Sequence, residues 1–226
     1  GMNEAAIEAA GLNPIQAELD QIAALSTPQS MLDFMRTQQA QGRSLLFGLG
    51  GESDFKNSDL VIAYVVPGGL GLPDKSYYQG DAHLAERQAY EKHIAATLKL
   101  AGASDADAAA QAKTVLAIET KLADKSYSSE EMARDVSKYY NPVTVSQAQE
   151  LAPGFEWARY FNEAGLADPG TFSLSNPDFF KALSAMLSST PIADWQAYLR
   201  FHSIDSAAPY LSKAYADQNF AFYGTA

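Results

Sequence analysis

The chain has 226 residues, of which 47% are hydrophobic and 19% are charged. This composition indicates a globular protein, because a disordered chain would have few apolar residues and strong charge. Sixteen Lys and Arg residues against 27 Asp and Glu residues give a net charge of -11, so we expect no nucleic-acid partner. Cysteine is absent, which excludes disulfides, thiol catalysis and cysteine zinc sites but leaves the cellular compartment open.

Apolar stretches are short. The longest, residues 60–66, is far below the roughly 20 residues that a membrane-spanning helix needs, so no membrane span is predicted. The first four residues, GMNE, begin neither a basic nor an apolar segment, and we expect no secretion signal within this chain. The compartment of the chain itself stays unknown.

Helix-start signals appear early. Asn13 and Thr27 each precede a proline, an arrangement in which a side-chain oxygen caps the helix and proline suits the first turn. Two helices are therefore predicted, followed by a change of pattern. Residues 44–48 and 60–66 are apolar and partly β-branched, and the residues between them favour turns. They predict one small hairpin at about residues 44–66, the only strand signal.

From Asp81 onward the pattern is helical. Apolar residues recur at an approximate 3.6 spacing, and Gly102 can close this helix. Ser104 is expected to cap the next helix, which has an apolar face. That face consists of Ala108, Ala112, Val115 and Leu122.

Two capping boxes follow. Ser128 with Glu131, and Thr144 with Gln147, have the spacing at which two side chains satisfy each other's backbone donors. Two shorter helices are predicted to begin there.

The last third also carries helix starts, at Asn176 and Thr190, each followed by proline, and Pro209 is expected to bend or end the final long segment. No internal repeat is visible. The predicted fold class is mainly α, a single multi-helix domain over residues 1–226 with one small hairpin.

Candidate chemistry is sparse. None of the three histidines, His83, His93 and His202, is followed by the Glu and second His of a zincin helix, and surface or satisfied core roles are expected for them. No serine lies in a nucleophile motif. We therefore predict no catalytic, cofactor-binding or metal-binding residue in this chain.

Two further segments, one glycine-rich and one acidic, have structural interpretations that involve no ligand. Residues 47–51, FGLGG, lack the third glycine of a nucleotide loop, because Ser53 occupies its place. Residues 52–54 lack calcium-loop ligands, since Lys56 falls where a ligand should be, and a solvated hairpin turn is expected. Several aromatic residues could line a ligand groove, although helical spacing is more typical of a core. They are Tyr139, Tyr140, Trp157, Tyr160 and Phe161.

Residues 68–78, GGLGLPDKSYY, closely resemble the Gly-Leu-Pro-Asp/Ser-x-x-Tyr-Tyr signature of the neprilysin and endothelin-converting-enzyme family. Residues 54–58, DFKNS, resemble the Asp-x-Lys-Asn-Ser turn that precedes this signature in the family. Pro67 is a departure, because many relatives have Gln there and one backbone-bracing hydrogen bond would be lost. Further similar stretches extend the resemblance over nearly the whole chain. They are residues 2–4, 134–135, 140–144 and 220–224.

The resemblance implies a two-lobed peptidase, with a catalytic lobe that binds zinc through two His and a Glu and a helical lobe that closes over an internal chamber. This chain corresponds to the N-terminal helical lobe. The family's zinc motif and its substrate-clamping Asn-Ala-Phe-Tyr would lie beyond Ala226. Residues 219–223, NFAFY, mimic that clamp but carry an insertion and belong to a different segment.

The expected function is thus that of a non-catalytic lobe that forms the chamber and gates substrates. The expected partners are the catalytic lobe and peptide substrates, zinc is expected only in the missing lobe, and the parent enzyme is expected to be bacterial and periplasmic or otherwise extracytoplasmic. The alternative is a free-standing helical module that binds peptides or proteins without enzymatic activity. Substrate sequence and oligomeric state are not encoded in any pattern described above.

Overall fold

The computed structural model describes residues 3–225. About 62% of the protein is helical, which confirms the mainly α prediction. Met2, in the family-like stretch at the start, lies outside the described residues. In the described part of the chain, no helix combines the length and the hydropathy that crossing a bilayer requires.

In the described residues, helices of 6 to 20 residues are interspersed with four short strands. In chain order the helices are α1 (Glu4–Ala10), α2 (Gln16–Ala23), α3 (Pro28–Ala40), α4 (Leu84–Leu100), α5 (Asp105–Asp124), α6 (Ser129–Arg134), α7 (Val145–Leu151), α8 (Trp157–Glu163), α9 (Pro177–Ser189), α10 (Ile192–Ala207) and α11 (Lys213–Tyr223). The strands are β1 (Phe47–Ser53), β2 (Val61–Pro67), β3 (Pro142–Thr144) and β4 (Thr171–Leu174).

The chain divides into two compact units. The first comprises the described residues of Gly1–Ser26, Tyr77–Ile118 and Pro191–Ala226, and the second comprises Thr27–Ser76 and Glu119–Thr190. The prediction that residues 1–226 form a single domain stays a prediction.

The first unit has a helical core. Helix α10 packs on α2 and α4, and α11 packs on α4. Tyr90 and Ile94 of α4 are fully buried, and the Tyr90 ring meets Phe201 edge to face at a centroid distance of 6.0 Å. A buried polar pair joins α4 to α10, because His93 Nε2 lies 2.8 Å from an Asp205 carboxylate oxygen.

The junction between α4 and α5 follows the sequence signals. Gly102 has φ 105° and ends α4 with a left-handed residue, a conformation that glycine adopts without strain. The Ser104 hydroxyl accepts a hydrogen bond from the Asp107 N–H at 3.1 Å, which confirms the predicted cap. The predicted apolar face of α5 is fully buried.

The second unit contains a four-stranded sheet in the order β1-β2-β4-β3. Strands β1 and β2 are antiparallel, β4 runs parallel to β2, and β3 pairs antiparallel with β4. The predicted hairpin is confirmed, although its first strand spans Phe47–Ser53 instead of residues 44–48. The expectation of no further strand was wrong: β3 and β4 have only 3 and 4 residues, too few for a readable alternation.

An aromatic cluster forms the core beneath this sheet. The Trp157 indole contacts Phe172 of β4 at 5.9 Å between ring centroids, and Phe47 of β1 meets Phe155 edge to face at 5.5 Å. Such edge and tilted arrangements suit the ring quadrupoles. The cluster also includes Tyr160, Phe161 and Phe180.

Most predicted helix caps are confirmed. Thr27, Ser128 and Thr144 each accept a hydrogen bond from the third helical N–H in a complete capping box. Two caps were wrong, although a helix begins close to each. Asn13 is the first residue of a 3-10 helix that leads into α2. Thr190 follows the last residue of α9, where its N–H donates to the Met186 carbonyl oxygen at 3.0 Å, and α10 begins two residues later at Ile192.

Core burial in α4 leads to a direct prediction. Ile94 is fully buried and Leu100, on the same helix, is 42% exposed. We expect Ile94→Ala to lower the free energy of unfolding by about 2–5 kcal/mol, since it removes buried carbon and leaves a cavity. The matched Leu100→Ala should change it by less than about 0.5 kcal/mol. Urea denaturation followed by circular dichroism measures both, and equal losses would contradict the packing of α4.

Candidate functional site

Three segments of the second unit enclose an open cleft of about 390 Å³, here called the signature cleft. The lining residues come from the family-like segment and β2 (66–75), from the chain on both sides of α6 (126–139), and from residues 175–176. The most distinctive motif of the sequence therefore forms one wall of a cavity.

The glycines of the signature segment are held by backbone hydrogen bonds. The Gly68 N–H donates to the Leu46 carbonyl oxygen at 3.1 Å, which continues the ladder between the hairpin strands. Gly69 has φ 86°, a backbone conformation that favours glycine. The Gly71 N–H donates to the carboxylate of Glu119 at 2.6 Å, and the Glu119 side chain is fully buried on α5.

Asp74 fixes the far end of the segment. One carboxylate oxygen accepts from the Ser76 N–H at 3.0 Å, and the other accepts from the Ser129 N–H, in the first turn of α6, at 2.9 Å. Burial alone would raise the pKa of Asp74, but the N–H groups of Ser129 and Ser76 outweigh it and hold the pKa below its usual value. The carboxylate is thus ionised and fully engaged.

Tyr139 belongs to the opposite wall. Its ring stacks on Tyr64 of β2 at 5.2 Å, and its hydroxyl donates to the Glu52 carboxylate at 3.0 Å. Burial, reinforced by Glu52, raises the pKa of Tyr139 to about 12, so the phenol stays protonated. The Tyr139 carbonyl oxygen accepts from the Ser173 and Ser175 hydroxyls at 3.1 and 2.5 Å.

Asn176 closes the cleft at the start of α9. It has φ 60° and is the only described non-glycine residue with a positive φ. Its side-chain oxygen accepts from the Phe179 N–H at 3.2 Å, and its amide nitrogen donates to the Lys125 carbonyl oxygen at 2.7 Å. These two bonds compensate the strain of a left-handed residue.

The chemistry of the cleft suits binding. Lys75 lies 3.9 Å from Glu131, and the Lys138 ammonium lies 4.2 Å over the Tyr127 ring, a cation–π contact. Met132 is 39% exposed and adds apolar surface. No residue that lines the cleft is a histidine. The site can hold a ligand through apolar, ammonium and backbone groups.

The histidines lie in the first unit, apart from the lining of the cleft. His83 stacks on Tyr77 at 3.9 Å, and its Nδ1 lies 3.3 Å from Glu86. His93 is buried, with Nε2 near Asp205 and Nδ1 3.1 Å from the Gln218 amide. His202 contacts the rings of Tyr198 and Phe201. Among residues 3–225, no group of three His, Cys, Asp or Glu side chains is placed to hold a metal ion.

The glycine-rich segment at residues 47–51 lies in β1 and forms no phosphate loop. The interpretation of residues 52–54 as a turn was partly wrong, because Glu52 and Ser53 complete β1 and only Asp54 starts the turn. Trp157, Tyr160 and Phe161 are buried in the core, as expected from their spacing.

Tyr140 has a role in the turn that was not anticipated. Its hydroxyl donates to Asp54 at 2.8 Å, and the Lys56 N–H donates to the same carboxylate at 2.8 Å. The Lys56 N–H and the Tyr140 hydroxyl hold the pKa of Asp54 below its usual value. The family-like turn at residues 54–58 is therefore braced from outside the hairpin.

Glu119 is the functional residue that sequence reasoning missed. A signal existed, because Glu119 lies four residues after Val115 and three before Leu122, within the apolar face of the same helix, where a buried acidic side chain needs a partner. Its partner, the Gly71 N–H, is 48 residues away in sequence.

Comparison with known proteins identifies relatives of this chain. Residues 1–226 match the model of peptidase family M13. Endothelin-converting enzyme 1 of Cavia porcellus is 25% identical over 99% of this chain and 32% of its own length, and neprilysin-3 of Drosophila melanogaster is 29% identical over 76% and 23%. The crystal structure of zinc metalloprotease Zmp1 of Mycobacterium tuberculosis with an inhibitor superposes with a TM-score of 0.89 at 31% identity, over 98% of this chain and 34% of that one.

The chain therefore belongs to peptidase family M13, and it corresponds to the N-terminal region of neprilysin-family peptidases. It spans about a third or less of the length of these relatives. Because they come from animals and from a bacterium, a bacterial origin stays a prediction.

The hydrogen bonds of Asp74 predict a pH dependence. A carboxylate whose pKa is lowered in the folded state stabilises the fold above its unfolded pKa, near 3.9, and this stability is lost as the pH falls through the folded pKa. We expect Asp74→Asn to lower the free energy of unfolding by about 1 kcal/mol at pH 7 and to have a much smaller effect near pH 2. Urea unfolding at a series of pH values measures this. Asp59→Asn, at the exposed hairpin tip, is the control, and a constant Asp74→Asn effect across pH would contradict the account.

Asn176 allows a test of the left-handed cap. Asn176→Gly and Asn176→Ala both remove the bonds to Phe179 and Lys125, but only alanine also suffers strain at φ 60°. We expect alanine to be less stable than glycine by about 1 kcal/mol. Chemical denaturation compares the two, and a more stable alanine variant would show that residue 176 is not left-handed.

Proposed function

We propose that this chain is the non-catalytic, chamber-forming lobe of a zinc metalloendopeptidase, and that it admits and holds peptides for a separate catalytic lobe. The observation that carries the proposal is the position of the family signature, residues 68–78, most of which forms a pinned wall of the signature cleft. A wall that is fixed in this way selects ligands by their shape, because its residues cannot move to accommodate a folded protein.

The walls of the cleft suit a peptide. Leu70, Leu72 and Met132 offer apolar surface, while Lys75 and Lys138 offer ammonium groups to carbonyl or carboxylate oxygens. The carboxylate of Asp74 is already engaged by two N–H groups, so it supports the wall and does not compete for a ligand. An extended peptide can lie in such a cleft, whereas a folded domain is excluded by size.

Zinc, which the family implies, does not fit His83 or His93. Both ring nitrogens of His93 are engaged, by Asp205 and by Gln218, and His83 pairs with Glu86. A catalytic zinc site needs three protein ligands around an open position. We therefore assign water activation by zinc to the catalytic lobe and assign no step of the reaction to residues of this chain.

Several features of the parent enzyme belong to the same proposal. Its substrates would be peptides, its catalytic lobe would be the principal partner of this chain, and its location would be periplasmic or otherwise extracytoplasmic. The alternative of a free-standing peptide-binding or protein-binding module would use the same cleft without a catalytic partner.

The proposal predicts that the isolated 226-residue chain retains no stoichiometric zinc and hydrolyses no peptide. Metal analysis after dialysis, together with a fluorogenic peptide assay, measures both quantities. The control is an M13 peptidase that contains both lobes, assayed in the same buffer. One tightly held zinc per chain, or turnover that a chelator abolishes, would contradict the assignment of all chemistry to the other lobe.

A further inference from the structure

A second cavity of the second unit lies beside strand β1 and shares no lining residue with the signature cleft. It has a volume of about 540 Å³ and is here called the edge cavity. Its lining includes Gln39 of α3, Leu49 of β1, and Tyr160 and Glu163 of α8. Nothing in the proposed function uses it.

Strand β1 is an edge of the sheet, and part of its hydrogen-bonding edge is open. The ladder bonds at Leu46 and Asp54 show that the even-numbered residues of β1 bond to β2, so the odd-numbered ones direct their N–H and C=O groups outward. The outward carbonyl oxygen of Phe47 accepts from the Gln39 amide at 3.0 Å. Within residues 3–225, the outward groups of Leu49 and Gly51 have no hydrogen-bond partner.

The composition of this edge permits close approach. Gly48, Gly50 and Gly51 lie within seven residues, and a Cβ atom placed on Gly50 would meet nothing within 4 Å. Gly50 and Gly51 therefore add no side chain to either face of the sheet at this edge. Open backbone groups beside a cavity are the features that strand addition uses, in which main-chain bonds give affinity and pockets take alternate side chains.

Tyr160 brings an unused polar group to the cavity. Its side chain is 6% exposed, and within the described residues its hydroxyl has no hydrogen-bond partner. Burial raises the pKa of this hydroxyl, and the Gln39 side chain, whose amide nitrogen donates to the Phe47 carbonyl oxygen at 3.0 Å, partly opposes the rise. Buried hydroxyls without partners are uncommon, because the lost hydration is not replaced.

The charge beside the cavity favours a cation. Arg36, only 6% exposed, pairs with Asp33, with Glu156 at 3.5 Å and with Glu163 at 2.7 Å. Arg159 pairs with the same three carboxylates. Three carboxylates and two guanidinium groups leave one negative charge in excess, and both Glu163 and its partner Arg36 line the cavity.

We propose that the edge cavity is a peptide subsite: an extended segment of the substrate pairs with the outward groups of Leu49 and Gly51 and places a lysine or arginine side chain in the cavity, near Glu163 and the Tyr160 hydroxyl. The inference rests on the proposed function, since that function makes a peptide the ligand. A second copy of the chain is disfavoured as the occupant, because β1, FGLGGES, carries no Lys or Arg to fill the cavity.

The test measures fluorescence anisotropy of labelled nonapeptides with the purified 226-residue chain. The probe peptide alternates serine and valine around a central lysine. One comparison peptide has norleucine in place of the lysine, and the other has N-methyl groups on alternate amides. We expect the lysine peptide to bind about threefold to tenfold more tightly than the norleucine peptide, and the N-methylated peptide to lose binding.

Three variants probe the site from the side of the protein. Gly51→Pro removes one outward N–H without removing a bond to β2, and should weaken binding. Glu163→Gln should remove the preference for lysine, and its matched control is Glu130→Gln, whose carboxylate pairs with Arg134 on α6. Tyr160→Phe should weaken binding about threefold while leaving the melting temperature unchanged or higher, because the hydroxyl that it deletes makes no bond in the fold.

Equal binding of the N-methylated and unmodified peptides, or unchanged affinity in Tyr160→Phe and Glu163→Gln, would overturn the subsite. Self-association of the chain that Gly51→Pro abolishes would overturn it in favour of a second copy. These outcomes leave the zinc and turnover results untouched, so failure of the subsite is distinguishable from failure of the proposed function.

Discussion

A buried carboxylate keeps the signature segment in place. Glu119 is fully buried on α5, and its oxygen accepts the Gly71 N–H at 2.6 Å. A polar side chain in such a position is tolerated only when hydrogen bonds replace its lost hydration, so the Gly71 N–H has to remain within reach of the Glu119 oxygen. Gly68 and Asp74 fix the segment on either side. Hydrogen bonds within the protein, and not a bound ligand, therefore determine the position of this wall of the signature cleft.

A pinned wall and an engaged carboxylate define what the chain can contribute to a peptidase. Both carboxylate oxygens of Asp74 accept from N–H groups, and both ring nitrogens of the buried His93 have hydrogen-bond partners. These two titratable side chains therefore stabilise the fold. What is left for a ligand is shape, apolar surface and the ammonium groups of Lys75 and Lys138. In the proposed function these groups would position a peptide, and a second lobe would supply the groups that break the bond.

Local signals in the sequence were sufficient for most helices and insufficient for the sites. The capping residues Thr27 and Ser128 act within four residues of themselves, and a spacing rule finds them. Strand β4 has four residues, and its pairing with β2 joins segments about a hundred residues apart, so no local pattern predicts it. His93 and Asp205 are separated by 112 residues. Residues of the family signature form one wall of the cleft. No local pattern predicts the other walls, because they depend on such distant pairings.

The reading frame on the 3′ side of the Ala226 codon tests the central claim most directly. If this chain is the substrate-holding lobe of a zinc metallopeptidase, DNA sequencing of that region should show an in-frame His-Glu-x-x-His motif, whose two His bind zinc and whose Glu activates water. A stop codon directly after Ala226 would contradict the account, and would leave the signature cleft as the site of a free-standing binding module.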